Sequence, residues 1–142
     1  MQTSARNQFE GTVTALKAGA VNDEVEITTA QGVKIVAIVT HESAAGLGLA
    51  VGRSAIALVK APSVIVATDA GGMRFSTRNR LGGTVAQVRV GAVNTEVVID
   101  VPGGVSVAAI VTQESAERLK LSAGTPATAL FKASSVIVCV RD

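Results

Sequence analysis

One arginine, one lysine and a group of hydroxyl and amide side chains occur at the same spacing in two places. The first set is Ser4, Arg6, Asn7, Thr40, Ser43, Lys60 and Ser63; the second is Ser76, Arg78, Asn79, Thr112, Ser115, Lys132 and Ser135. Two positive charges among hydroxyl and amide donors suit a dianion with several equivalent oxygens, and a guanidinium adds a planar two-pronged contact. Thr40 and Thr112 stand where a helix begins, so free backbone N–H groups and the helix dipole add to the attraction. The set can donate throughout, and none of it is a carboxylate. Each part also has a plain structural reading: the threonines as caps, the lysines as ordinary strand ends. Recurrence of the whole set, while neighbours such as Ala45/Glu117, Gly46/Arg118 and Gly48/Lys120 diverge, favours a site.

Catalytic groups are scarce. The only histidine, His41, is replaced by Gln113 in the second set, and Cys139 matches Ala67, as a small core residue would. No Cys/His cluster has metal-ligand spacing, and no phosphate-loop motif occurs. Glu24/Glu96 and Glu42/Glu114 are shared carboxylates, read as a solvated strand position and a helix start stabilised by the dipole. The sequence points to binding, not to an enzyme.

The recurrence extends over the whole chain. From Ser4 to Arg141 each residue aligns without gaps with the one 72 positions away, and about half of the pairs are identical. Each half is therefore one structural unit, expected at 1–70 and 71–142 with a linker at about 69–75. Units this small bury only about 60% of their unfolded surface, so the other half or a neighbouring subunit must help cover each core. The chain is 48% hydrophobic but only 2% aromatic, which leaves Val, Ile, Leu and Ala to build those cores. A net charge of +2 singles out no partner. The start lacks the apolar run of a signal peptide, no stretch has membrane-spanning length, and the lone cysteine implies no oxidising compartment, so a cytoplasmic protein is expected.

Each unit predicts five strands and one short helix. A strand begins after Ser-x-Arg-Asn, and a turn follows at Gly19, Ala20, Val21 and Asn22 (Gly91, Ala92, Val93 and Asn94). Alternating Val25 and Ile27 mark a half-buried second strand, and the β-branched run Val33–Val39 a third, buried on both faces. A helix capped by Thr40 or Thr112 follows, ending near Gly52 or Gly124; a fourth strand runs from about Ala55 to Lys60 and a fifth through Val64–Val66. This order predicts an all-β chain of two tandem five-stranded OB-like Greek-key barrels.

Ser-x-Arg-Asn, Gly-Ala-Val-Asn-x-Glu-Val, Val-Thr-x-Glu-Ser and Lys-Ala-x-Ser-Val-Ile-Val, in this order and twice over, resemble the molybdenum-binding Mop domain. The whole chain resembles a di-domain molbindin. The resemblance implies a molybdate-binding and storage role in the cytoplasm, with tungstate or sulfate as related ligands. It also implies a homotrimer with oxyanion sites at subunit interfaces, and no catalytic cofactor. Carried over by motif, the contacts are Ser4, Arg6, Thr40, Ser43, Lys60 and the backbone at Ala61, with Ser76, Arg78, Thr112, Ser115, Lys132 and Ala133 in the second unit. Asn7 and Asn79 belong to the same motif. Where some members have a hydroxyl residue after the lysine, this chain has alanine twice, which leaves only the main-chain N–H. A second class of site is implied at the two Gly-Ala-Val-Asn turns. Rival functions are a nucleic-acid-binding OB module and a molybdate-sensing accessory domain. The first lacks the aromatic platforms such modules use, and the second finds no DNA-reading helices or phosphate loop beside the two repeats. Neither nucleic acid nor membrane is expected as a partner.

Overall fold

The computed structural model describes residues 1–142. The first repeat contains β1 (Asn7–Lys17), β2 (Asn22–Thr29), β3 (Lys34–Thr40), α1 (His41–Gly46), β4 (Ser54–Val59) and β5 (Ile65–Ala67). The second contains β6 (Asn79–Val90), β7 (Asn94–Val101), β8 (Val105–Thr112), α2 (Gln113–Arg118), β9 (Pro126–Phe131) and β10 (Ile137–Cys139). A single 3₁₀ turn, Ala61–Ser63 or Ala133–Ser135, precedes the last strand of each repeat. The expected order of five strands with a helix between the third and fourth is present twice, and no helix is long and apolar enough to cross a membrane.

Sheet membership does not follow the repeat boundary. One sheet has the order β10-β4-β1-β2-β3 and the other β5-β9-β6-β7-β8, all antiparallel. Each repeat thus gives its fifth strand to the other's sheet: Val138 lies opposite Ala57, and Val66 opposite Ala129. The sheets curl so that the borrowed strand approaches the far edge, β10 against β3 and β5 against β8.

One apolar core serves both repeats. Val13, Val25, Ile27, Ile35 and Val59 join Val85, Val97, Ile99, Val107 and Phe131 in a single buried cluster. Phe9 of β1 stacks on Phe131 of β9 with ring centroids 6.4 Å apart, the one aromatic pair in the chain. Each small half is thereby covered by the other, as the burial argument requires. The third strand departs from expectation. Ile35, Val36 and Ala37 are buried, but Lys34 and Ile38 are exposed, so only the middle of this edge strand is covered on both faces. Cys139 is half-buried on the short exchanged strand.

Local chemistry sets the ends of the elements. Thr40 Oγ1 accepts from Ser43 N at 3.1 Å, and Thr112 Oγ1 from Ser115 N at 3.1 Å, each capping a helix start. Both helices end in a Schellman turn: Leu49 N donates to Ala44 O and Leu121 N to Ala116 O, both at 3.0 Å. The residue in the left-handed position is Gly48 in α1 but Lys120, with φ of 53°, in α2. Gly11 and Gly83 lie where a Cβ would strike the backbone oxygens of Thr28 and Asp100, so glycine lets the first two strands of each repeat approach closely.

Candidate functional site

The predicted donors assemble across the repeats. Ser76, Arg78, Lys132 and Ala133 of the second repeat line one hollow of about 250 Å³, closed by Glu24, Val36 and Ile38 of the first. Arg78 enters it from just before β6, and Lys132 from the residue that leads β9 into its 3₁₀ turn. That turn packs on β3, and the matching turn Ala61–Ser63 packs on β8. Lys60 and Ala61 therefore lie beside the second repeat, where Arg6 also reaches. Ala61 is buried and Lys60 exposed. As the first residue of a helical turn, Ala61 has an N–H with no acceptor inside the turn, and the same holds for Ala133.

The arginines are ion-paired across the repeats. Arg6 pairs with Glu96 on β7, and Arg78 pairs with Glu24 on β2. The hydrogen bond and charge of Glu96 raise the Arg6 guanidinium above its ordinary value, and the hydrogen bond from Arg6 holds the Glu96 carboxyl below its own. Glu24 and Glu96 were read from sequence as solvated strand carboxylates. The structure instead puts Glu24 in the hollow with the arginine and lysine, so an acceptor stands within a set that looked purely donating. Their one sequence signal was identity in both copies at the same motif position.

Asn7 and Asn79 take a different role from the one their motif implied. Asn7 Nδ2 donates to Ala108 O at 2.8 Å, and its Oδ1 accepts from Ala108 N at 2.7 Å. Asn79 does the same with Val36, at 2.7 and 2.8 Å. Both side chains are buried and spend their carboxamides on the edge strand of the opposite repeat. They pin the two sheets together.

Thr40 and Ser43 lie outside the arginine–lysine hollow. They line a separate hollow of about 430 Å³ against Val136, Ile137 and Val138, just beyond the same 3₁₀ turn. Within the cap, Thr40 Oγ1 donates to Ser43 Oγ at 2.7 Å, and Thr112 Oγ1 to Ser115 Oγ at 2.9 Å. Ser4 sits in the exposed segment ahead of β1, and Ser63 and Ser135 close their 3₁₀ turns half-buried. The chain thus gathers serine, arginine, lysine and the alanine backbone in one place, and holds the threonine–serine pairs in another. A larger hollow, about 540 Å³, lies beside the linker at Asp69, Arg80 and Gly82 and collects none of the predicted donors.

The Gly-Ala-Val-Asn turns adjoin the helix starts, because Asn22 pairs with Thr40 and Asn94 with Thr112. Val21 and Val93 are exposed at their tips. The two turns differ in one feature. In the first, Gly19 N donates to the buried Asp23 carboxylate at 3.1 Å, and His41 Nδ1 lies 3.0 Å from the same oxygen. In the second, Thr95 and Gln113 replace that pair, and Gly91 N donates to Asn94 O at 2.9 Å.

A TOBE domain family model matches residues 3–66 and 76–138, one copy for each repeat. The chain is 43% identical over its full length to the molybdenum transport protein ModE of Herbaspirillum seropedicae, covering 53% of that protein. It is 45% identical over 99% of its length to the molybdenum-pterin-binding protein MopA of Rhodobacter capsulatus, again covering 53%. The chain therefore spans about half the length of the curated relatives it matches. A crystal structure of the cytoplasmic molybdate-binding protein ModG with molybdate bound superimposes with a TM-score of 0.95 at 50% identity, covering 99% of this chain and 100% of that one. Two family matches set on the two repeats, together with this full-length structural likeness, place the chain in the TOBE domain family, as a molbindin with tandem Mop domains.

Proposed function

We propose that the chain binds molybdate, and tungstate with it, as a cytoplasmic buffer or store of the oxyanion. The observation that carries this is the convergence of Ser76, Arg78, Lys132 and the backbone of Ala133 on one hollow roofed by the other repeat. The full-length likeness to ModG, a molybdate-binding protein by its description, supports the choice of ligand. Arg6, Lys60 and Ala61, with Ser4 in the exposed approach to β1, form the equivalent set by the repeat symmetry. Thr40, Ser43, Thr112 and Ser115 complete sites when a neighbouring chain brings its own arginine–lysine group to them. The assembly is a homotrimer. Apolar positions exposed in both repeats, Val21/Val93 and Ile65/Ile137, give it matching surfaces to cover. The Gly-Ala-Val-Asn turns form the second class of site.

Titration calorimetry with molybdate, run beside metal analysis and light scattering, tests this. Saturable uptake by a particle of about three chains, with symmetric interfaces, is the expected result. A monomer that takes up no molybdate refutes it.

A second reading has its own observation. The chain is 35% identical to a DNA-binding transcriptional dual regulator, ModE of Escherichia coli, and covers 52% of it. On that reading the two repeats are the oxyanion-sensing part of a regulator. Molybdate-dependent association of the repeats with a DNA-binding partner separates this role from storage.

A further inference from the structure

We propose that Glu24 and Glu96 are built-in counterions of the oxyanion sites: each carboxylate holds the opposite repeat's arginine until a ligand displaces it, and its charge sets how strongly the site favours one oxyanion charge over another. The inference rests on the oxyanion reading above and adds residues to the site which that reading leaves out.

Three observations carry it. Glu24 lines the same hollow as Arg78 and Lys132, so a ligand held by that pair lies beside the carboxylate. Both arginines are engaged across the repeats, Arg78 by Glu24 and Arg6 by Glu96, whereas neither lysine has a carboxylate partner. The third is internal to the sequence. Along β2 and β7 the other two acidic positions diverge, Asp23 to Thr95 and Glu26 to Val98, while Glu24 and Glu96 are the same. Glu26 lies on the same face of the strand as Glu24 and accepts from Thr14 Oγ1 at 2.8 Å within its own repeat, yet its counterpart is valine. A general need for charge on that face would have kept both.

The charges in the hollow sum to one positive: Arg78 and Lys132 against Glu24. A tetrahedral dianion gains from both cations and is repelled by the carboxylate a few ångströms away. That repulsion scales with ligand charge, so it is twice as large for a dianion as for a monoanion of the same shape. The carboxylate therefore limits affinity and narrows the preference for dianions. It also keeps the empty site from presenting two uncompensated cations.

The test compares molybdate with perrhenate, a singly charged tetrahedral oxyanion, by titrating the full chain and its Glu24→Gln/Glu96→Gln variant. Glutamine keeps the shape and a carbonyl acceptor and removes the charge. The expected change is about tenfold tighter molybdate binding and about threefold tighter perrhenate binding, the ratio that follows from doubled charge. Glu10→Gln, which removes an equal charge from the exposed Glu10–Arg141 pair, should leave both affinities in place. Molybdate binding that is unchanged or weaker in the double variant would overturn the proposal and mark the carboxylates as arginine supports only. So would an equal gain in Glu10→Gln. A wild-type chain that takes up no molybdate would overturn the oxyanion reading itself, and this proposal with it.

Discussion

Asn79 completes the outer edge of β3 by pairing with Val36 as a strand would. Its carboxamide gives one hydrogen bond to Val36 O and receives one from Val36 N, at 2.7 and 2.8 Å. The symmetric bond pair joins Asn7 to Ala108. An edge strand with free N–H and C=O groups invites pairing with another chain, and here a side chain from the opposite repeat occupies that position. All four residues are buried, so no water replaces the bonds if the side chain is lost.

Asn79→Leu should therefore cost about 2–5 kcal/mol, because two buried backbone groups lose their partners at once. Urea denaturation of the variant would measure it. A loss below about 1 kcal/mol would show that Val36 finds other partners.

Arg78→Ala should weaken one class of molybdate site about tenfold or more, since a charge-assisted donor is removed. The loss should exceed that of Lys132→Ala, because Glu24 is left facing the ligand without its partner. Adding Glu24→Gln to Arg78→Ala should restore part of the affinity. Calorimetry over this double-mutant cycle gives the coupling, and strictly additive effects would separate Glu24 from the site.

The repeat, the order of strands, the caps at Thr40 and Thr112 and the donors Arg78 and Lys132 were legible because each is local, written in spacing or residue type. The strand exchange was not. Val64–Val66 reads as a strand whichever sheet receives it, and nothing in its residues states its partner. Asn7 and Asn79 were legible as shared polar residues but not as pins, since their acceptors are backbone groups about a hundred and about forty positions away. The same gap hid Glu24 and Glu96. A glutamate alternating with valines looks solvated until the opposite repeat brings an arginine to it.

Asp23 should make the stability of the protein depend on acid in a way that Thr95 does not. The Gly19 N–H holds the buried Asp23 carboxyl below its ordinary value, against the opposing effect of burial and with help from His41. A carboxyl lowered in the folded state stabilises the fold above its unfolded value, and that contribution disappears as pH falls toward the folded one. Asp23→Asn should flatten the dependence of the urea midpoint on pH below about pH 5. In the matching position Thr95 is fully buried, with its hydroxyl unpaired. Thr95→Val should be neutral or stabilising by up to about 1 kcal/mol, and a clear loss would reveal a partner for the hydroxyl.

Lys120 occupies the left-handed position that glycine fills at Gly48 in the first repeat. A side chain there costs about 1–2 kcal/mol, and glycine returns part of the gain as unfolded-state entropy. Lys120→Gly should raise stability by about 0.5–1 kcal/mol, and Gly48→Lys should lower it by a similar amount. Denaturant midpoints for the pair decide the matter. Equal and negligible shifts would mean that the Schellman turn relaxes around either residue.

The exchanged strands make the two repeats one cooperative unit. β10 pairs with β4 through Ile137, Val138 and Cys139, although the other strands of its own repeat, β6 to β9, belong to the other sheet. Removing residues 136–142 takes Val136 and Val138 out of the common core and exposes the outer edge of β4, whose residues Ala55, Ile56 and Ala57 are buried. The damage should therefore appear in the first repeat, more than seventy residues away in sequence. Hydrogen exchange on the truncated chain should show the amides of β1 and β4 losing protection first, with the remaining structure melting in one broader transition at lower temperature. Loss of protection confined to β9 and its neighbours would place the last strand in its own repeat's sheet and contradict the exchange.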